Sequence, residues 1–526
     1  MKWFQTIAFV AGALALAGCA RAQDVAAGSA QAKTTIPGGH ITSAKAVGAG
    51  ALMEIGGFIP VPLPAPAALC QVQAVLTPTP ASTIHAEVWL PLPAAWNHKL
   101  LASGNAGFGG TLGAPRLQMR VALGRGYATA GDDLGHTGEG SGGEDASWAL
   151  NQPEIIKDFG WRANHLTAAF AKTMVGAYYG AAPAHAYFQG CSDGGREALM
   201  EAQRFPDDYD GVIAGAPANA WSRLMTAFAW NAAASARSPG AAIPDAKLPA
   251  IQAAVLAACD GLDGVKDGLV SDPRRCRFDP KTIACNGADG PACLTADQVQ
   301  TVRLILRGPT DEAGAAIYPG WPAAGAEADP STWKLWITGK AQQGSFARAY
   351  FRDMVYNDPK WDLSRFEAGA AVKAAEASGR ELNSDNPDLS AFEARGGKLI
   401  LYHGWADAAI SPYGTVQYYE AVKKRLGPEK ASRATRLFMA PGLSHCVGGP
   451  GPNTFDMLTA LETWVEKGDA PERVIAAKTT NDVAALLGMP AGTTSRTRPL
   501  CAWPKQAVWT GKGSSDEAAN FECRME

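Results

Sequence analysis

Hydrophobic and polar positions fall into two stretches of strand–helix alternation, separated by a long interval without it. In the first, residues 83–90 (TIHAEVWL) alternate with the period of two of a half-buried strand, and Lys99-Leu100-Leu101-Ala102 is a short apolar run suited to a buried one. Residues 126–130 (GYATA) predict another strand, and a long helical pattern follows over residues 155–179. A strand at 186–189, a helix at 197–203 and a strand at 211–215 complete this stretch. The second predicts a strand at 398–402 (KLILY), a helix at 415–426, a strand at 436–439 and a helix at 454–467. Strands alternating with helices make a mostly parallel sheet with helices on both faces, an α/β architecture. Residues 218–392 lose this rhythm and hold four cysteines, acidic loops and aromatics such as Trp321, Trp333, Trp336, Tyr350 and Trp361. They are expected to form a lid inserted between two parts of one core, 46–217 and 393–526.

The N-terminus changes the picture. Lys2 precedes an apolar stretch from Ile7 to Ala17, which predicts an export signal over residues 1–19 rather than a span. Two processing routes stay open: Leu16-Ala17-Gly18-Cys19 resembles a bacterial lipobox in which Cys19 is lipidated, and Ala20-Arg21-Ala22 offers ordinary cleavage. Residues 20–45 then form a tether. Beyond residue 19 no apolar run approaches the ~20 residues of a membrane helix, so any membrane contact is expected through an N-terminal lipid alone. The 526 residues are 47% hydrophobic and 18% charged, which supports a large core and excludes a disordered chain. With 47 Lys+Arg against 50 Asp+Glu, nothing in the bulk charge favours nucleic acid.

Export makes disulfides the expected fate of most of the 10 cysteines. Cys285 with Cys293 and Cys501 with Cys523 are close in sequence, and Cys259 and Cys276 flank one acidic loop. Either processing route takes Cys19 out of pairing, and Cys70 is left without an obvious partner. No CxxC spacing occurs, which argues against a zinc site.

Gly190-Cys191-Ser192-Asp193-Gly194 fits GxSxG between a predicted strand and a predicted helix, where a tight turn exposes a nucleophilic serine. The Asp193 amide, at the start of that helix, is placed to donate to an oxyanion. A serine needs a base, and the base an orienting acid. Asp407 follows the strand ending near Tyr402, and His445 follows the strand ending near Met439. Ser192, Asp407 and His445, in that order, each after a strand, match the α/β-hydrolase arrangement. His403 ends a buried strand and reads as structural, and His136 sits on a loop after a strand, from which it could approach the site. Cys191 and Cys446 directly adjoin Ser192 and His445; if the triad forms, they come within disulfide reach and brace it.

Residues 190–197 (GCSDGGRE), 403–407 (HGWAD) and Ser444-His445-Cys446 together resemble the tannase/feruloyl esterase family. The resemblance runs from about Leu52 to Cys523 and implies an α/β-hydrolase core with a large lid inserted between serine and aspartate. It places Ser192, Asp407 and His445 at the triad positions and Cys191 and Cys446 at the brace. Residues 104–110 (GNAGFGG) look like the family's glycine-rich loop, which implies Gly107 as the second oxyanion donor. Three carboxylates, Asp260, Asp263 and Asp267, spaced by glycines, can converge on one hard cation. The loop is similar to the family's lid calcium loop, which implies carbonyls from Val265 and Leu269 and closure by Cys259 and Cys276. The ion would be structural, with no organic cofactor. The expected activity is hydrolysis of small aromatic acid esters: hydroxycinnamates first, then gallates, then terephthalate monoesters. The competing class is a non-catalytic surface lipoprotein on the same scaffold.

Overall fold

A computed structural model describes residues 19, 36, 38–57, 61–138, 143–339 and 341–525. The expected export signal and most of the expected tether lie outside them. The chain divides into two compact units, Met1–Val212 and Ile213–Glu526.

In the first unit, β1 (Gly39–Val47), β2 (Leu69–Leu76) and β3 (Ile84–Pro91) pair antiparallel. β4 (Lys99–Ser103) lies parallel to both β5 (Ala128–Asp132) and β6 (His185–Cys191). The order is β1-β2-β3-β5-β4-β6, so chain neighbours β4 and β5 are exchanged. Central strands are largely buried: Leu100, Leu101, Ala128, Ala130 and Tyr187 have almost no exposed surface, as strands covered on both faces require. Helices α1 (Gly113–Gly124), α2 (Ala163–Tyr179) and α3 (Asp193–Arg204) make the crossovers. β1 starts at Gly39, inside the segment expected to be tether; its outer positions are exposed and it is held by its ladder to β2.

β7 (Gly211–Gly215) carries the division between the units. In the second unit, β8 (Lys398–Gly404) and β9 (Thr435–Ala440) run parallel, and the Ala216 amide donates to the Tyr402 carbonyl at 2.8 Å. Residues 218–392 belong to this unit and include the helices α4 (Trp221–Ala236), α5 (Leu248–Cys259) and α6 (Ala296–Arg307). α7 (Pro412–Leu426) follows β8, and α8 (Met457–Lys467) follows β9. Two C-terminal hairpins, β10 (Arg473–Thr479) with β11 (Thr494–Cys501) and β12 (Gln506–Trp509) with β13 (Phe521–Arg524), were not foreseen.

Cys259–Cys276, Cys285–Cys293 and Cys501–Cys523 are disulfides with Cα separations of 5.2, 4.9 and 5.6 Å, as expected. Cys70 corrects the sequence expectation: it is bonded to Cys19, with Cα atoms 5.4 Å apart. A sulfur in that bond cannot also carry a lipid thioether, so crosslinking to Cys70 and lipidation are alternative fates of Cys19. Cys191 and Cys446 are also oxidised, and no described cysteine is free.

Candidate active site

In the first unit, Ser192 sits between β6 and α3 with φ 68° and ψ −121°, a conformation that side-chain-bearing residues rarely adopt. The glycines around it are required by backbone contact. A Cβ on Gly190 would lie 2.3 Å from the Gly194 carbonyl oxygen, and one on Gly104 would lie 2.6 Å from the Gly194 Cα. The turn is thus wedged against the loop after β4.

Among the described residues, the amides of Asp193 and Gly107 at this end have no acceptor. Asp193 is the first residue of α3, so its N–H has no intrahelical acceptor. In the loop after β4, Asn105 N–H donates to Glu197, Ala106 to the Asn105 Oδ1, Phe108 to the Gly143 carbonyl, Gly109 to Ala106 and Gly110 to Asp133. Among the amides of residues 105–110, that leaves Gly107. Arg196, fully buried, holds the helix start: its Nε lies 2.5 Å from Asp193 Oδ1, and its terminal nitrogens donate to the Gly160 and Phe159 carbonyls at 2.7 and 3.0 Å. His136 is buried against Trp148, with ring centroids 3.7 Å apart, and bonds the Phe108 carbonyl at 2.7 Å. It braces the glycine loop.

In the second unit, Asp407 and His445 meet on neighbouring loops. A Cβ on Gly404 would stand 2.1 Å from the Leu443 carbonyl oxygen, so only glycine lets the loops after β8 and β9 approach. Trp405 and Ala406 amides then donate to the Ala440 and Leu443 carbonyls at 2.9 and 3.1 Å. Asp407 Oδ2 lies 2.7 Å from His445 Nδ1, and its Oδ1 accepts the Ala409 and Ile410 amides at 2.8 and 2.9 Å. Burial pushes this carboxyl up, but the His445 charge and bonds from His403 and His445 outweigh it and hold the group well below the usual carboxylate range. His403, read from sequence as structural, shares the same oxygen: its Nε2 is 3.0 Å from Asp407 Oδ2, and its Nδ1 is 2.7 Å from Thr415 Oγ1. Trp336 presents its ring edge-on to His445 at 5.1 Å.

The acidic loop uses its carboxylates partly within itself. Asp260 accepts the Asp267 and Gly268 amides, Asp263 the Val265 amide and Ser271 hydroxyl, and Asp267 the Leu269 amide and Arg498. The carbonyls of Val265 and Leu269, both buried residues, accept no hydrogen bond from the described residues. The donor chemistry therefore fits a hard cation, although the three carboxylates do not close to within 4.8 Å of one another. The described group that does is Cys285, Asp289 and Cys293, whose sulfurs are already a disulfide.

Residues 70–524 match the model of the tannase and feruloyl esterase family. The chain belongs to this family. An uncharacterized esterase of Xanthomonas campestris pv. campestris is 42% identical over 93% of this chain and 89% of its own length. The mono(2-hydroxyethyl) terephthalate hydrolase of Piscinibacter sakaiensis is 34% identical over 82% and 80%. Among solved structures, feruloyl esterase B of Aspergillus oryzae superposes with a TM-score of 0.84, covering 94% of this chain and 99% of that one at 28% identity. Family membership makes the chain a carboxylesterase with an α/β-hydrolase fold.

Proposed function

We propose that this esterase is an exported serine carboxylesterase acting on esters of aromatic acids, with Ser192 as nucleophile, His445 as base and Asp407 as orienting acid. The observation that carries the reading is the strained backbone of Ser192 on a glycine-walled turn that opens a helix, because such strain is kept where it exposes a reacting group. The Asp407–His445 bond supplies the other half. Ser192 Oγ attacks the ester carbonyl as His445 Nε2 takes its proton, with Asp407 fixing the ring through Nδ1. The oxyanion is met by the Asp193 and Gly107 amides. His445 returns the proton to the departing alcohol, then activates the water that cleaves the acyl-enzyme. These steps call for no organic cofactor.

Aromatic acids are favoured by the relatives, whose names include feruloyl esterase and mono(2-hydroxyethyl) terephthalate hydrolase, and by Trp336 beside His445, an aromatic wall for a flat acyl group. Residues 218–392 act as the lid, and the core comprises 46–217 and 393–526. Cys191 and Cys446 are taken as the brace, and both are oxidised. The loop at 260–269 holds a structural calcium through Asp260, Asp263, Asp267 and the carbonyls of Val265 and Leu269. The disulfides and the apolar N-terminal stretch support export.

The test is hydrolysis of p-nitrophenyl esters, methyl ferulate, methyl gallate and mono(2-hydroxyethyl) terephthalate by the protein and by Ser192→Ala. Loss of all turnover in a folded variant is expected; undiminished turnover refutes the nucleophile, and absence of turnover in both forms returns the protein to a binding role.

A further inference from the structure

We propose that Glu197 and Asn105 form a buried clamp that sets the spacing of the two oxyanion donors, which makes Glu197 a positioning residue for ester hydrolysis; this rests on the assignment of Ser192, Asp193 and Gly107 above. The two donors come from different segments, Asp193 from the start of α3 and Gly107 from the loop after β4. Catalysis needs both amides aimed at one point to within a fraction of an ångström. Something must tie the segments together.

Glu197 lies on α3 one turn beyond Ser192 and is 1% exposed. Its two oxygens accept the Asn105 amide at 3.1 and 3.2 Å, and Oε2 also accepts Asn164 Nδ2 at 3.0 Å. The link is reciprocal, since the Asn105 carbonyl accepts the Gly194 amide at 3.1 Å. Helix and loop are thus joined by donor and acceptor in both directions. They meet where Gly104 and Gly194 leave no room for a side chain. The Asn105 side chain continues the restraint: Nδ2 donates to the Thr111 and Asp132 carbonyls at 2.9 and 3.0 Å, and Oδ1 accepts the Ala106 amide at 2.9 Å. Every polar group of Asn105 has a partner, and the peptide it orients leads directly to Gly107.

The protonation of Glu197 suits this role. Burial, followed by the neighbouring Asp193 charge, pushes its carboxyl well above the usual range. A neutral acid accepts the Asn105 amide without stranding a charge in a dry site. Glutamine has the same shape and the same acceptor, so it is the conservative probe. Leucine fills the space and leaves the Asn105 amide unpaired.

The experiment compares Glu197→Gln, Glu197→Leu and Asn105→Ser with the parent and with Ser192→Ala, after thermal unfolding shows which variants fold. It measures kcat, KM, inhibition by an aryl boronic acid that forms a tetrahedral adduct, and inhibition by the free aromatic acid. Glu197→Gln should stay within about 3-fold of the parent in kcat, while Glu197→Leu should lose about 10- to 100-fold, the scale of weakening one oxyanion donor. KM and binding of the free acid should hold, and boronic acid affinity should fall with kcat. Should Glu197→Leu not fold, Asn105→Ser must show the same split. A folded Glu197→Leu with unchanged kcat, equal damage in Gln and Leu, or parallel loss of kcat and free-acid binding each overturns the clamp. Retained activity in Ser192→Ala would instead overturn the nucleophile assignment, and the clamp with it.

Discussion

One oxygen of Asp407 serves two histidines, His445 at 2.7 Å and His403 at 3.0 Å. Because Asp407 Oδ2 and the Ile410 carbonyl both accept, His403 Nε2 must be the donor, and its Nδ1 is left to Thr415. The depressed Asp407 carboxyl contributes stability above the ordinary carboxylate pKa, and this stability is lost as pH falls through the folded value. His403→Phe removes one favourable bond to the charged form. It is therefore expected to move the acid-unfolding midpoint to higher pH and to lower kcat about 10-fold, as read by a pH series of thermal melts and by steady-state kinetics. The proposed triad was picked out because each member follows a strand in the Ser, Asp, His order, and of its contacts the structure shows the one between Asp407 and His445. The bond from His403 to Asp407 was not, because a spacing of four across a strand end has no periodic rule that makes the two side chains meet. Gly107 came through family resemblance; the pairing of its neighbours' amides is a tertiary fact invisible in GNAGFGG.

Among the elements, the strongly apolar strands β4, β7 and β8 were readable within two residues at either end, because a buried parallel strand is a run of Leu, Ile and Val between turns. β1 was not. Its sequence GHITSAKAV is poor in strand-forming side chains, and only its ladder to β2 makes it a strand. β11 likewise contains Pro499 and is defined by its pairing with β10. Gly404 is the element-scale weak point, since it lets the β8 and β9 loops touch. Gly404→Ala should cost about 1–3 kcal/mol in overpacking and separate Asp407 from His445, so both the melting temperature and kcat should fall; a variant with parental values of both would show that the loops can move apart without consequence.

For the molecule as a whole, buried acids set the pH range of stability. Burial lifts Asp132 to about 7, opposed by the Leu134 amide and reinforced by Asp133 and Asp158. A raised carboxyl favours the folded state most below its unfolded pKa near 4, and the advantage declines as pH rises towards 7, by up to about 1.4 kcal/mol per pH unit. The parent should therefore melt lower at pH 8 than at pH 5, and Asp132→Asn should flatten that slope; an unchanged slope would place the proton elsewhere. The proposed calcium makes a separate expectation. Chelation should lower the melting temperature and added calcium restore it, whereas Asp260→Asn should melt like the chelated protein and ignore chelator.

The Cys19–Cys70 bond makes maturation a contest for a single atom. Oxidation during folding seals the start of the chain onto β2, whereas acylation or trimming beyond residue 19 strands a reactive thiol on Cys70 in the finished esterase. Counting maleimide-reactive groups in denatured protein recovered from its native host tells the two histories apart: none after sealing, one after either alternative.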